Sequence, residues 1–257
     1  DWDDASWFAS AVRYANDGRG AQQWYDRSLA TWRAAQSAHT LLSLGVLRPN
    51  ARLLIMADLR SPLVWGLAND VGRVVVVDVL ARYPGGGAGP WIHAPERFAT
   101  QAVPDGRVRA VAIEHMLDAL DAQSFDAALV LPWNGSMSAA EIGALLAAVA
   151  THVVDGGPLL TCIPTRLAGP PQSGLLESPS TITRWLAARG MQLQGEANYA
   201  ISDVGLLAAT DSVARDLRVP NLLIADGTRL TGQLFVTCTR TSTHQDGHPR
   251  AVMGSEQ

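Results

Sequence analysis

Apolar residues along this chain fall into short uninterrupted runs separated by stretches of helical periodicity, and that alternation predicts strands interleaved with helices. The central example is Ala51 to Leu80, ARLLIMADLRSPLVWGLANDVGRVVVVDVL. Arg52 to Ala57 is a short apolar run, Ser61-Pro62 starts a helix over Leu63 to Asp70, and Arg73 to Val79 is a β-branched run suited to burial on both faces. Two parallel strands joined by a helix cross over right-handedly, and in open sheets the ligand crevice lies beyond the carboxyl ends of the strands. Asp58, Leu59, Arg60 and Asp78 are thereby placed on the rim of a candidate site.

The same pattern continues on both sides of this unit. Tyr25, Leu29 and Trp32 follow i, i+4, i+7 spacing, which predicts a helix from about Gln22 to Leu44, capped by Gly45, that packs on the sheet or closes over its rim. Arg107 to Ile113 reads as a third strand ending in Glu114-His115, and Phe125 to Leu131 as a fourth, followed by Pro132-Trp133-Asn134-Gly135. A helix over Ala139 to Val153 opens with a Ser138/Glu141 capping box, and Asp155-Gly156-Gly157-Pro158 turns into a fifth strand, Leu159 to Ile163. A loop from Pro164 to Pro179, a helix from about Ser180 to Arg189 stopped by Gly190, a sixth strand over Met191 to Tyr199, a helix over Asp211 to Leu217 and a seventh strand over Gly232 to Thr239 complete the series. The fold class expected is α/β: a single doubly wound, mostly parallel seven-stranded sheet with helices on both faces. Residues 1–45 form an N-terminal helical segment packing on a core domain at 46–240, and the polar tail 241–257 is expected to be disordered.

Composition narrows the chemistry. With 257 residues, 47% of them hydrophobic, the chain can bury a sizeable core as one domain, and no apolar run approaches the roughly 20 residues of a membrane helix. A net charge of −4 gives no basic footprint for nucleic acid. All 20 basic residues are arginine. Mechanisms that need a lysine are therefore excluded, among them the P-loop, the pyridoxal Schiff base and the kinase phosphate contact. Cys162 and Cys238 lie in strand-like runs and read as small core residues, which fits a reduced, cytoplasmic setting. The chain opens at Asp1 and is read as processed or excerpted. Tyr83 to Trp91, YPGGGAGPW, reads as a flexible linker, since Pro90 breaks the G-x-G-x-x-G spacing and no lysine follows. His244 and His248 read as part of a solvated tail, not a metal site, and Ser136 lacks the G-x-S-x-G frame of a hydrolase.

Seven strands alternating with helices, the acid Asp78 closing the second strand, and Phe125-Asp126-Ala127-Ala128 followed by helix and Asp155-Gly156-Gly157 resemble the class I S-adenosylmethionine-dependent methyltransferases, a Rossmann-like superfamily. The resemblance covers about Arg52 to Arg240. It implies S-adenosylmethionine (SAM) as cofactor. Asp78, about 19 residues after Leu59, matches the acid that receives ribose hydroxyls. Glu114 resembles the acid near the adenine amino group, Trp133 and Asn134 sit where the family lays substrate against cofactor, and Pro132 and Trp133 are candidate cofactor contacts. The first motif departs from the family. Ile55 stands in place of its acid, and none of the three glycines of Gly-x-Gly-x-Gly is present across Ala57 to Ser61. Leu59 then adds a side chain where the methionine part of the cofactor would lie, and Asp58 is a candidate to replace the lost carboxylate. Arg60-Ser61-Pro62-Leu63 resembles a variant seen in bacterial methyltransferases of glycans or secondary metabolites, with Ser61 capping the helix and leaving N–H groups for a carboxylate.

His115, with the carboxylate of Glu114 beside it in sequence, is the candidate general base, although neighbours on a strand point opposite ways unless the strand has ended. Two functions stay open. One is a methyltransferase with a degenerate cofactor site acting on small molecules or glycans, with no metal; the other is a catalytically silent methyltransferase-like module that binds a protein partner, for which eight tryptophans offer anchors. A dinucleotide enzyme is disfavoured by the missing G-x-G-x-x-G.

Overall fold

The computed structural model describes residues 5–15, 29–79, 89–120, 124–131, 139–170, 178–195, 224–226 and 229–240. Its strands are β1 (Arg52–Ala57), β2 (Arg73–Asp78), β3 (Val108–Ala112), β4 (Ala127–Val130), β5 (Pro158–Ala168), β6 (Met191–Leu193), β7 (Ile224–Asp226) and β8 (Arg229–Arg240). The α-helices are α1 (Ala5–Tyr14), α2 (Leu29–Ser43), α3 (Pro62–Ala68), α4 (Met116–Leu120), α5 (Ala139–Ala150) and α6 (Pro179–Ala187). Strand order is β3-β2-β1-β4-β5-β8-β6, with β7 paired to β8 off this path. The first five strands pair in parallel, and β8 runs antiparallel to β5, β6 and β7.

Why the strand sequences are apolar throughout is plain from the two faces of the sheet. In β1, Leu53 and Ile55 pack with Leu41 of α2 and Leu63 and Leu67 of α3, while Leu54 and Met56 pack on the other face with Leu146 of α5 and Leu186 of α6. All four strand residues are fully or almost fully buried. Period-2 alternation of side chains feeds both layers, so no position of the strand is left for a polar residue.

The α2 terminus obeys the expectation for Gly45. Its φ is +65°, its amide donates to the Leu42 carbonyl and the Val46 amide to the Leu41 carbonyl, the paired bonds of a Schellman ending. Upstream, α1 and α2 pack on the sheet itself. Trp32 meets the Phe235 ring edge-on at 6.2 Å, Trp7 Nε1 donates to Gln36 Oε1 at 2.9 Å, and both tryptophans are buried beside Cys162. The helix lies over the sheet with Trp32 in its packing face; Tyr25 and the side chain of Leu29 fall outside the described residues.

Several boundaries differ from expectation. Strand five continues through Pro164 to Ala168, where a loop was expected. Among the described residues the β4 pairing ends where Val130 meets Thr161, so from there on β5 has an open side, and an edge tolerates proline. The expected fourth strand shortens to Ala127–Val130, with Phe125 in an isolated bridge to Val153, and this takes Val153 out of the expected helix. β7 was not anticipated; Ile224–Asp226 is a three-residue strand with no periodicity to announce it. The expected helix over Asp211 to Leu217, most of Met191 to Tyr199, most of the Tyr83 to Trp91 linker, and the tail 241–257 lie outside the described residues.

Candidate functional site

The carboxyl ends of β3, β2, β1 and β4 lie level. Asp78 is the register partner of both Ala57 and Ala112, and Met56 is the partner of Val130. Whatever follows those four strand ends shares one rim. Leu131 donates to the Met56 carbonyl at 2.9 Å and Thr161 Oγ1 to the Val130 carbonyl at 2.8 Å, which satisfies the last carbonyls between β1, β4 and β5.

Asp78 is 0% exposed, a charged residue wholly enclosed at the strand end. A carboxylate closing the second strand of a parallel sheet is an acceptor of the kind that receives ribose hydroxyls in Rossmann-like sites.

The β1–α3 turn carries Asp58 to Ser61. Asp58 Oδ1 accepts from the Arg60 amide at 2.9 Å, an Asx turn, and the Arg60 Nε lies 2.9 Å and 3.1 Å from the two Asp58 oxygens. Asp58 is thus paired with a cation of its own turn. The hydrogen bond that it donates to Asp58 foremost, with the charges of Asp58 and Asp78, holds the pKa of the Arg60 guanidinium above its ordinary value against partial desolvation. Ser61 is the N-cap residue of α3 by backbone geometry, with Pro62 in the first turn, but its side chain makes no capping bond, contrary to expectation. α3 has only seven residues.

Leu59 corrects the sequence reading. Its side chain is 0% exposed and belongs to the core with Leu63, Trp65 and Leu53, and its carbonyl accepts from Trp65 Nε1 at 3.1 Å. It therefore does not fill the crevice where the methionine part of the cofactor was expected. Burying an isobutyl group among apolar neighbours stabilises by about 2 kcal/mol, which decides the direction of the side chain. Ile55 is likewise a core residue.

Glu114 and His115 follow Ala112 in a 3-10 turn over Ile113–His115, and both are exposed. The strand has ended before them, so the alternation that would send them to opposite faces does not apply. Pro132 and Trp133, with Asn134, lie outside the described residues.

Asp126, part of the family-like Phe125-Asp126 signature, lies at the opposite edge: its Oδ2 accepts from the Arg52 amide at 2.8 Å and its Oδ1 from Arg48 Nη2 at 3.0 Å. Its work is to join β1 to β4. Beyond the end of β4, the β5–β8 ribbon rises with α2 against it. Arg33 Nη2 donates to Gln233 Oε1 at 2.7 Å, and the Cys162 thiol reaches the same oxygen at 3.4 Å. Burial pushes the Cys162 thiol up, with Arg33 pulling the other way. Nothing in the sequence links Arg33 to Gln233, since their contact is made only by tertiary packing across 200 positions. Arg60 had a legible signal, an arginine two residues after an aspartate in a turn. Among the described residues no group of three or more His, Cys, Asp or Glu could hold a metal ion, and no helix is long and apolar enough to cross a membrane.

No protein-family profile matches the chain, and no curated protein sequence does. Solved structures do. Magnesium protoporphyrin IX methyltransferase from Synechocystis PCC 6803 with bound S-adenosylhomocysteine (SAH) superposes at TM-score 0.52 and 11% identity, over 92% of this chain and 95% of that one. The same enzyme with bound SAM gives 0.51 at 12% identity, over 91% of each chain. Geranyl diphosphate C-methyltransferase from Streptomyces coelicolor A3(2), in complex with Mg2+, geranyl diphosphate and SAH, gives 0.51 at 14% identity, over 89% and 87%. Together with the strand order, these likenesses establish that the chain has the class I SAM-dependent methyltransferase fold.

Proposed function

We propose that the chain binds the adenosyl group of SAM in the crevice beyond β1, β2 and β3, and transfers its methyl group to a small-molecule or glycan nucleophile. The observation that carries this reading is the placement of Asp78, enclosed at the end of β2 and in register with Ala57 and Ala112. Its carboxylate would hold the ribose hydroxyls, and exposed Glu114, just past β3, would face the adenine amino group. Pro132 and Trp133 would border the methyl-bearing end. The donor set fits at the ribose. At the amino-acid end it is altered, because Ile55 is in the core and Asp58 is occupied by Arg60.

Bound SAM supplies a sulfonium-activated methyl group. The chain's own contribution is alignment and exclusion of water by the rim and by the α1–α2 layer. His115, exposed on the turn after β3, would accept the proton of a hydroxyl nucleophile.

A second reading, a catalytically silent module that docks a protein partner, is favoured by the same Asp58–Arg60 pair, which neutralises the candidate replacement for the missing acid. Calorimetric titration with SAM and SAH separates the two. Micromolar binding that weakens in Asp78→Asn supports the enzyme. A charge-assisted hydrogen bond is worth about 1.5–3 kcal/mol, so the loss should be on the order of 10- to 100-fold. A correctly folded protein that binds neither compound at millimolar concentration sinks the adenosyl reading.

A further inference from the structure

We infer that the face of the β5–β8 ribbon turned towards α2 binds the methyl acceptor through an oxyanion, a carboxylate or phosphate that the acceptor carries. The inference rests on the transfer reading above for the role of that ligand, and it narrows the ligand to acidic molecules.

The ribbon stands beyond the rim. Thr161 is the last β5 residue that pairs with β4 among the described residues, and β5 runs on beside β8 to Ala168. Side chains alternate along it, and Cys162 lies with Trp32 and Phe235 on the side of α2. Pro164 and Arg166 therefore belong to that face, with Gln233 opposite Pro164. Leu131, the first residue after β4, packs against both this aromatic cluster and the core that holds Ala57 and Leu59, which joins the ribbon face to the crevice.

What this face offers is donors. Trp32 is 7% exposed, and its buried Nε1 meets no acceptor among the described residues. Gln233 Oε1 accepts from Arg33 Nη2 at 2.7 Å and from the Cys162 thiol at 3.4 Å, which leaves Gln233 its amide N–H groups to give. Arg166 Nη1 donates to the Gly169 carbonyl at 2.7 Å, while its buried Nε meets no acceptor among the described residues. The ion-paired acids among those residues, Asp58, Asp70 and Asp126, hold other arginines. A buried donor without an acceptor is costly, and donors gathered on one face with guanidinium groups suit an anion with several oxygens. From Cys162 to Arg166 is roughly 13 Å of strand, so one elongated molecule can set an oxygen at Trp32 and its acidic group at Arg166.

The test titrates three probes into the protein with SAH present to occupy the adenosyl crevice: a hydroxynaphthoate with its two groups on opposite rings, the matching uncharged hydroxynaphthamide, and naphthyl phosphate. Wild type should prefer the naphthoate to the naphthamide by about tenfold or more, the scale of one charge-assisted hydrogen bond. Arg166→Gln should abolish that preference, and Arg166→Lys should keep most of it. Trp32→Phe, which retains an aromatic ring and loses the N–H, should weaken the naphthoate several-fold. Tighter binding of naphthyl phosphate than of the naphthoate assigns the oxyanion as phosphate, and the reverse assigns it as carboxylate. Equal binding of acid and amide by wild type, or an unchanged preference in folded Arg166→Gln, overturns the inference. SAH binding with none of the three probes bound at millimolar concentration overturns the acceptor site and leaves the adenosyl site standing. A naphthoate preference in a protein that does not bind SAH overturns the transfer reading and leaves the oxyanion site standing.

Discussion

The carboxylate of Asp126 accepts a hydrogen bond from the Arg52 amide at 2.8 Å, tying the amino end of β4 to the amino end of β1, a full strand length from Asp58 and Asp78. The same carboxylate pairs with Arg48 at 3.0 Å, and the Asp126 amide donates back to the Arg52 carbonyl at 2.9 Å. Sheet assembly and ligand binding are thereby separated along one strand. Asp126→Ala should destabilise the fold by about 1–3 kcal/mol, because the Arg52 amide loses its acceptor. Urea denaturation checks this, and SAH affinity of the folded variant should equal that of wild type. A selective loss of affinity would move Asp126 into the site.

Gly143 of α5 lies against Trp185 of α6 so closely that a Cβ there would fall 1.5 Å from Trp185 Cζ2. Two effects of Gly143→Ala oppose each other. Helix propensity favours alanine by about 1 kcal/mol, whereas overpacking a fixed indole costs about 1–3 kcal/mol. The indole is held, with Arg189 stacked 3.9 Å from its centroid, so the clash should win. Thermal melting should show a net loss for Gly143→Ala, recovered in the double variant Gly143→Ala/Trp185→Leu. A single variant more stable than wild type would mean that the indole moves freely.

Tyr14 joins the N-terminal helix to the end of α3. Its hydroxyl donates to Asp70 Oδ2 at 2.7 Å, and Arg13 pairs with the other oxygen of the same carboxylate. Burial first, then the bond and charge of Asp70, raise the phenol well above its ordinary value of about 10. The folded state therefore holds this proton more tightly than the unfolded chain does. Its stabilisation is complete below pH 10 and is lost as pH climbs from there towards the raised folded value. Tyr14→Phe should lose about 1 kcal/mol at neutral pH and should show a shallower decline of stability above pH 10. Parallel denaturation curves at pH 8 and 11 decide it, and identical pH slopes would rule out this coupling.

Both cysteines are buried, and burial pushes the Cys238 thiol up to about 12 and the Cys162 thiol upward as well. Neither should react with an aromatic disulfide reagent at pH 8 in the native protein, and both should react once it is unfolded. Prompt labelling of Cys162 in the folded state would show that the α1–α2 layer opens over it.

The sequence by itself determined the strand-helix-strand core, because β1, β2 and their neighbours are buried on both faces and that burial leaves a continuous apolar run that needs no partner to be recognised. It also located Asp78, an acid ending such a run, and Gly45, whose positive φ ends α2. Tertiary structure alone decided the direction of side chains in the β1–α3 turn. Leu59 was expected in the crevice and lies in the core, since an apolar side chain at a turn follows whichever neighbours can enclose it, here Leu63 and Trp65. Asp126 was legible as part of the family-like opening of the fourth strand, but that it holds two strands together was not, because a carboxylate near a strand start takes its role from the amide it meets. The extension of β5 past Pro164, the pairing of β7, and the Arg33–Gln233 contact all depend on which edge is open and on partners distant in the chain. Local pattern encodes burial, which is summed along one segment; it does not encode which group of another segment arrives opposite a polar atom.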